Sequence, residues 1–300
     1  MKNLKQYFVA AVVVCALLLA MPSTAFATDG QRMPDSYFDD AVFVGDSISL
    51  KLRNYVYKQR AGDPGFLGSA QFLTVGGLGS GNVQLPITAD SLHPVYNGEK
   101  MMLEDSVAAS GAKKVYIMFG MNDIVPYGID GAIENLDVLI GKILEKSPDV
   151  QIAVQSVTPI LQNRQQKNLN NPNILLYNEQ LEALCDARGY DFLDIGALMR
   201  DENGALIYEY CADAPGLGMH LSDAACVPWI EYLRTHPLSS GADLLTPASE
   251  EDAGQAVDPL LSRPDDFAEE QVDEPAGESF ESGLKQPPQK RDPNRRLNAR

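Results

Sequence analysis

The sequence predicts an α/β fold, a three-layer α/β/α sandwich on a central, mostly parallel five-stranded sheet, within one domain over residues 35–240. Two observations predict it. Five apolar runs of strand length recur between residues 41 and 195, and stretches with helical period lie between and after them. Strands that alternate with helices of this length pair in parallel and carry helices on both faces. No internal repeat is visible.

In chain order, Ala41-Val42-Phe43-Val44 is an unbroken apolar run ending at Gly45, which suits a buried strand. Ser47 follows in a tight strand-to-helix turn. Ala70 to Val75 is the second run, closed by glycines, and Lys114 to Phe119 is the third. Beyond Asp130, residues Ile133, Leu136, Ile140, Ile143 and Leu144 share one helical face. Val150 to Val157 makes the fourth strand. Ile174 to Arg188 then places Leu175, Leu176, Leu181 and Leu184 at helical spacing, with Gly189 to end it. Tyr190 to Ile195 is the fifth strand, and Ala224 to Leu233 is the last helix.

The two ends follow different rules. Residues 1–27 have the layout of a secretory signal peptide: Lys2 and Lys5, an apolar run from Phe8 to Met21, and the small-x-small site Ala25-Phe26-Ala27. The run is short for a membrane span, and Cys15 lies within it away from any lipidation site, so export with cleavage after Ala27 and no stable membrane anchor is expected. Cleavage removes two lysines and no acid, taking the net charge from −17 to −19. Such a chain does not attract nucleic acid or an anionic bilayer through bulk charge. Over 241–300 the periodicity is lost, acids crowd Glu250 to Glu281, and a basic end follows from Lys290 to Arg300. A disordered acidic tail is expected there, because such a composition buries too little surface to offset chain entropy. Cys185, Cys211 and Cys226 remain in the mature chain, an odd number at irregular spacing that gives neither a disulfide framework nor a zinc site. One bridge between two of them, or none, fits the sequence.

Ligands of open α/β sheets bind beyond the carboxyl ends of the strands, so the residues at those ends matter most. The first strand delivers Gly45-Asp46-Ser47, exposing a hydroxyl and a helix-start amide together. The second delivers Gly76-Gly77-Leu78-Gly79-Ser80-Gly81, where backbone N–H groups can approach a ligand; its spacing fits neither a dinucleotide fingerprint nor a P-loop. The third delivers Gly120-Met121-Asn122-Asp123, whose Asn122 can turn its amide to the crevice. Of three histidines, His220 precedes the last helix and can reach the same rim. His93 and His236 each precede a proline and read as structural and surface residues.

Taken in order, these blocks resemble the SGNH (GDSL-like) hydrolase superfamily, whose four blocks carry Ser, Gly, Asn and His. Val157-Thr158-Pro159, Tyr177-Asn178 and Asp194 extend the likeness from about Ala41 to Leu233. The resemblance implies an SGNH/flavodoxin-like fold and a serine esterase needing no cofactor and no metal. It implies Ser47 as nucleophile, His220 as its base, and an oxyanion site made by the Ser47 amide, Gly77 (with Gly76 as the alternative) and Asn122. One departure stands out. The family's Asp three residues before the histidine is Leu217 here. Asp213 from further upstream, a backbone carbonyl, or a slow or inactive protein are the three readings that remain. An α/β-hydrolase is disfavoured because Ser47 follows the first strand, and a metal-dependent deacetylase because three scattered histidines make no ligand cluster. The expected partner is an acylated small molecule or polysaccharide, outside the cell or at its wall, with O-acetyl the favoured group. A glycan-binding module without catalysis and an O-acyltransferase stay open as alternatives, and oligomeric state is not readable.

Overall fold

A computed structural model describes residues 32–239. The expected leader over 1–27 and tail over 241–300 lie outside the described residues. Five runs become strands, fully buried in β1 and partly buried in the edge strands β2 and β7: β1 (Ala41–Gly45), β2 (Gln71–Thr74), β5 (Lys114–Met118), β6 (Gln151–Gln155) and β7 (Asp191–Leu193). They form one sheet in the order β2-β1-β5-β6-β7, every pairing parallel. A short antiparallel hairpin, β3 (Val95–Tyr96) with β4 (Glu99–Lys100), stands apart from it.

Side chains alternate across a strand, so each run supplies two cores. Val42 and Val44 of β1, with Val115 and Ile117 of β5, face α2 (Leu103–Ser110), α3 (Ile124–Lys146) and α4 (Asn171–Arg188). Phe43, Tyr116 and Met118 face the other way, onto α1 (Ser47–Arg60), the single turn α5 (Ile195–Leu198) and α6 (Asp223–Thr235). The three layers expected from the sequence are present. Phe43 stacks on Tyr116 at 4.7 Å between ring centres, and the buried Trp229 of α6 donates its indole N–H to Gln155 Oε1 at 2.8 Å.

The α4 face departs from expectation. Its buried stripe is Ile174, Tyr177, Asn178, Leu181 and Cys185, whereas Leu175 and Leu176 are exposed. The polar members of the stripe explain the choice. Tyr177 donates its hydroxyl to Phe119 O at 2.9 Å, and Asn178 bonds both N–H and C=O of Val157, at 2.8 and 2.9 Å. One helix thereby holds the chain as it leaves β5 and β6, and those exits line the site. Cys185, Cys211 and Cys226 are free thiols. No described helix is long and apolar enough to cross a membrane.

Candidate active site

Ser47 is placed by the junction of β1 and α1. Asp46 caps the helix, accepting from Ile48 N at 2.8 Å through its carboxylate, and Leu50 N closes the first turn on Asp46 O. The turn is tight enough to demand glycine before it. A Cβ on Gly45 would lie 2.2 Å from Ser49 Oγ and 2.7 Å from Met118 O. Ser47 opens the helix, and its amide has no internal acceptor among the described residues. A free N–H at the positive end of a helix favours negative charge beside it.

His220 reaches this serine from the loop before α6. Its Nε2 lies 3.2 Å from Ser47 Oγ, and its Nδ1 lies 2.7 Å from Asp213 Oδ2. The other Asp213 oxygen accepts from Met219 N at 3.0 Å, from His220 N at 3.1 Å and from the Cys211 thiol at 3.4 Å. Burial alone would raise the Asp213 carboxyl, but the hydrogen bonds from the His220 ring and amide and from the Cys211 thiol together hold the group below its ordinary value. An ionised Asp213 can only accept, so Nδ1 carries the ring proton and Nε2 turns its lone pair to Ser47.

The Leu217 departure is thereby accounted for. Leu217 is 51% exposed. The chain reverses between residues 213 and 218, with Gly216 N bonding Asp213 O at 2.7 Å, and runs back antiparallel through Ala212 N to His220 O at 2.8 Å. The carboxylate beside His220 in space is therefore seven residues back in sequence, not three. Lys51 and Lys58 of α1 both pair with Asp223 at the start of α6, joining the serine's helix to the one that follows the histidine.

The glycine segment and Asn122 lie against the same turn. Asn122 Nδ2 donates to Asp46 Oδ2 at 3.1 Å and to Leu78 O at 2.9 Å. Sequence reasoning expected a free amide there; in the resting structure both hydrogens are engaged. Asp123 beside it is fully buried and accepts from Ser80 N and Gly81 N, each at 3.0 Å, which fixes the glycine segment. Gly77 holds φ +78°, a left-handed conformation, and its carbonyl accepts from Asn82 at 3.0 Å. The amides of Gly76 and Gly77 make no internal hydrogen bond among the described residues, so the choice between them stays level. Burial, with Asp123 nearby adding to it, pushes the Asp46 carboxyl up to about 7.

Ser47, His220, Asn122 and the glycine segment thus come together, with Asp213 completing the hydrogen-bonded chain. Asp46 and Asp123 were not singled out from sequence for their scaffolding work, although each stands next to a residue that was. Histidines 93 and 236 take no part: His93 is buried and bonds Ser91 Oγ, and His236 stacks on Tyr232. Among the described residues no group of three or more His, Cys, Asp or Glu side chains can hold a metal ion.

The model of the GDSL-like Lipase/Acylhydrolase family matches residues 43–226, more than half of the chain. No curated protein sequence matches it significantly. Among solved structures, it is similar to an acetylxylan esterase from Geobacillus stearothermophilus at 19% identity and TM-score 0.47, covering 68% of this chain and 96% of that one. It is similar also to a GDSL-like lipase from Bacteroides thetaiotaomicron at 17% identity and TM-score 0.44, covering 65% and 85% respectively.

Proposed function

This chain belongs to the GDSL-like lipase/acylhydrolase family and is an ester-hydrolysing enzyme, and from that premise we propose that it is an exported esterase that removes short acyl groups, O-acetyl first, from carbohydrate outside the cell. The observation that carries the chemistry is the unbroken line Ser47 Oγ, His220 Nε2, His220 Nδ1, Asp213 Oδ2, with steps of 3.2 and 2.7 Å. Export rests on the leader pattern over 1–27, and a polymeric substrate outside the cell follows from export.

In this proposal Ser47 Oγ attacks the ester carbonyl carbon while His220 Nε2 takes its proton. Asp213 stays ionised and holds the imidazolium that forms. The oxyanion is received by the Ser47 amide, by Gly77 or Gly76, and by one Asn122 hydrogen that turns from Asp46 as charge develops. Each such donor is worth about 100- to 1,000-fold in rate. Collapse breaks the bond to the sugar oxygen, which leaves with the His220 proton. Water, activated by the same imidazole, then releases the acid and restores Ser47.

The test pairs a small ester with polymers. Wild type should turn over p-nitrophenyl acetate and take a fluorophosphonate label, and Ser47→Ala should do neither. Equal turnover by the two proteins overturns the nucleophile assignment. Acetate release from acetylated xylan, chitin and peptidoglycan, assayed together, decides the substrate class; an active enzyme that releases none overturns the carbohydrate reading.

A further inference from the structure

Helix α3 does not run straight from its start. Gly128 stands at φ 69°, ψ 178°, outside the helical region, so the turn from Ile124 is set off from the rest of the helix. Val125 and Tyr127 are left 51% and 41% exposed. A groove of about 480 Å³ opens between this turn, the segment around Asn168, and α4. It starts two residues past Asn122, and its aromatic wall touches the glycine segment. A Cβ on Gly81 would lie 2.4 Å from Tyr127 Cε2, so only glycine admits the ring there. The groove thus neighbours the site through Asn122 and the glycine segment, while Ser47, His220 and Asp213 are not among its lining residues.

Its lining has a definite chemistry. Gln180 Nε2 donates to Asp130 Oδ1 at 3.2 Å, and Asn173 Nδ2 donates to Asn168 O at 2.8 Å. Those bonds fix the side chains and leave Gln180 Oε1, Asp130 Oδ2, Asn173 Oδ1 and the whole Asn168 amide without an internal partner among the described residues. No lysine or arginine lines the groove. Planar amides and a carboxylate bond paired hydroxyls, an aromatic ring covers apolar C–H groups, and the volume falls within the ~300–1,000 Å³ of small-ligand sites. Asp130 repels acidic ligands, and nothing cationic offsets it. We propose that this groove is a saccharide subsite, holding a neutral sugar unit of the acylated glycan next to the ester. The proposal rests on the carbohydrate-esterase reading and adds where, and by which residues, the glycan is held.

The experiment compares p-nitrophenyl acetate with acetylated xylo- and chito-oligosaccharides on the full chain. Gln180→Ala, Asn168→Ala and Tyr127→Leu should each lower kcat/KM on the responsive oligosaccharide by about tenfold, mostly through KM, and change p-nitrophenyl acetate turnover by no more than about twofold. Tyr127→Phe, which keeps the ring, should stay near wild type. Equal losses on both substrates would mean that the variants disturb the catalytic loops, and the subsite is then wrong. Unchanged oligosaccharide kinetics in all three variants sinks the subsite while leaving the carbohydrate reading intact. A wild type that cleaves p-nitrophenyl acetate but neither oligosaccharide sinks both.

Discussion

Asp213→Asn isolates the step that the Leu217 departure put in question. The carboxylate has two unequal sides. Oδ1 receives two backbone N–H groups, from Met219 and His220, and the Cys211 thiol; Oδ2 receives only the imidazole. An asparagine has one oxygen and one NH2 to put in their place. Turning the NH2 to the backbone side would set it against two donors that cannot change. Turning it to the ring sets it against Nδ1, which can give up its proton, so this orientation wins. Nδ1 then accepts, Nε2 carries the proton, and the lone pair that should take the Ser47 proton is gone. The loss expected is about 1,000- to 10,000-fold in kcat, or about 4–5.5 kcal/mol of barrier. Asp213→Ala should lose less, because that side chain is 26% exposed and water can bond Nδ1 without dictating its tautomer. The assay is p-nitrophenyl acetate turnover with protein folding checked by circular dichroism. An asparagine variant within about tenfold of wild type refutes the reasoning, since that is too little for a trapped tautomer. Leu217→Asp should neither speed the enzyme nor rescue Asp213→Asn.

Other expectations concern stability as much as rate. Native Asp46 holds its proton up to about pH 7, whereas the unfolded chain releases it near its ordinary value, so this group's contribution to stability falls as pH rises from about 4 to 7. Melting temperature measured against pH should therefore decline relative to Asp46→Asn across that window; a flat difference curve contradicts the assignment. Gly45→Ala, whose methyl would meet Met118 O at 2.7 Å, should destabilise by about 1–3 kcal/mol and displace Ser47; a urea midpoint within error of wild type argues against that contact. Gln155→Leu leaves the buried Trp229 indole N–H without its 2.8 Å partner and should destabilise by about 1–3 kcal/mol by denaturant titration, with activity per folded molecule retained.

The strands were legible because a parallel sheet covered on both faces needs apolar residues on consecutive positions, and Ala41 to Val44 or Lys114 to Phe119 show that directly. Helix α4 was legible in extent but not in orientation. Hydrophobicity ranked Leu175 and Leu176 as core, yet the helix turns Tyr177 and Asn178 inward because the exits of β5 and β6 need hydrogen bonds, and Leu176 lines the groove instead. The short α2 and the β3–β4 hairpin carry too few periodic residues to announce themselves. Ser47, His220 and Asn122 could be found from block order at successive strand ends. The orienting carboxylate could not be fixed, because whether Asp213 or position 217 faces the imidazole depends on a reversal closed by backbone bonds at Gly216 and Gly218, which no side-chain pattern encodes. The engagement of Asn122 with Asp46 was hidden for the same reason: it joins residues 76 apart through a geometry that only the sheet creates.

That reversal has a consequence for how the catalytic parts can move. Asp213 is bound both to the His220 ring and to the Met219 and His220 peptide N–H groups, so acid partner and imidazole travel as one cassette on a single loop. Were the loop to swing outward to admit a bulky chain, the ring would keep its tautomer and its heading throughout. The 3.2 Å link to Ser47 would have to re-form on return, together with the bonds from Leu161 N to Gly218 O at 2.9 Å and from Arg164 Nε to Ala214 O at 2.8 Å. An enzyme arranged so can tolerate breathing at the rim of its site without having to rebuild its base at every turnover.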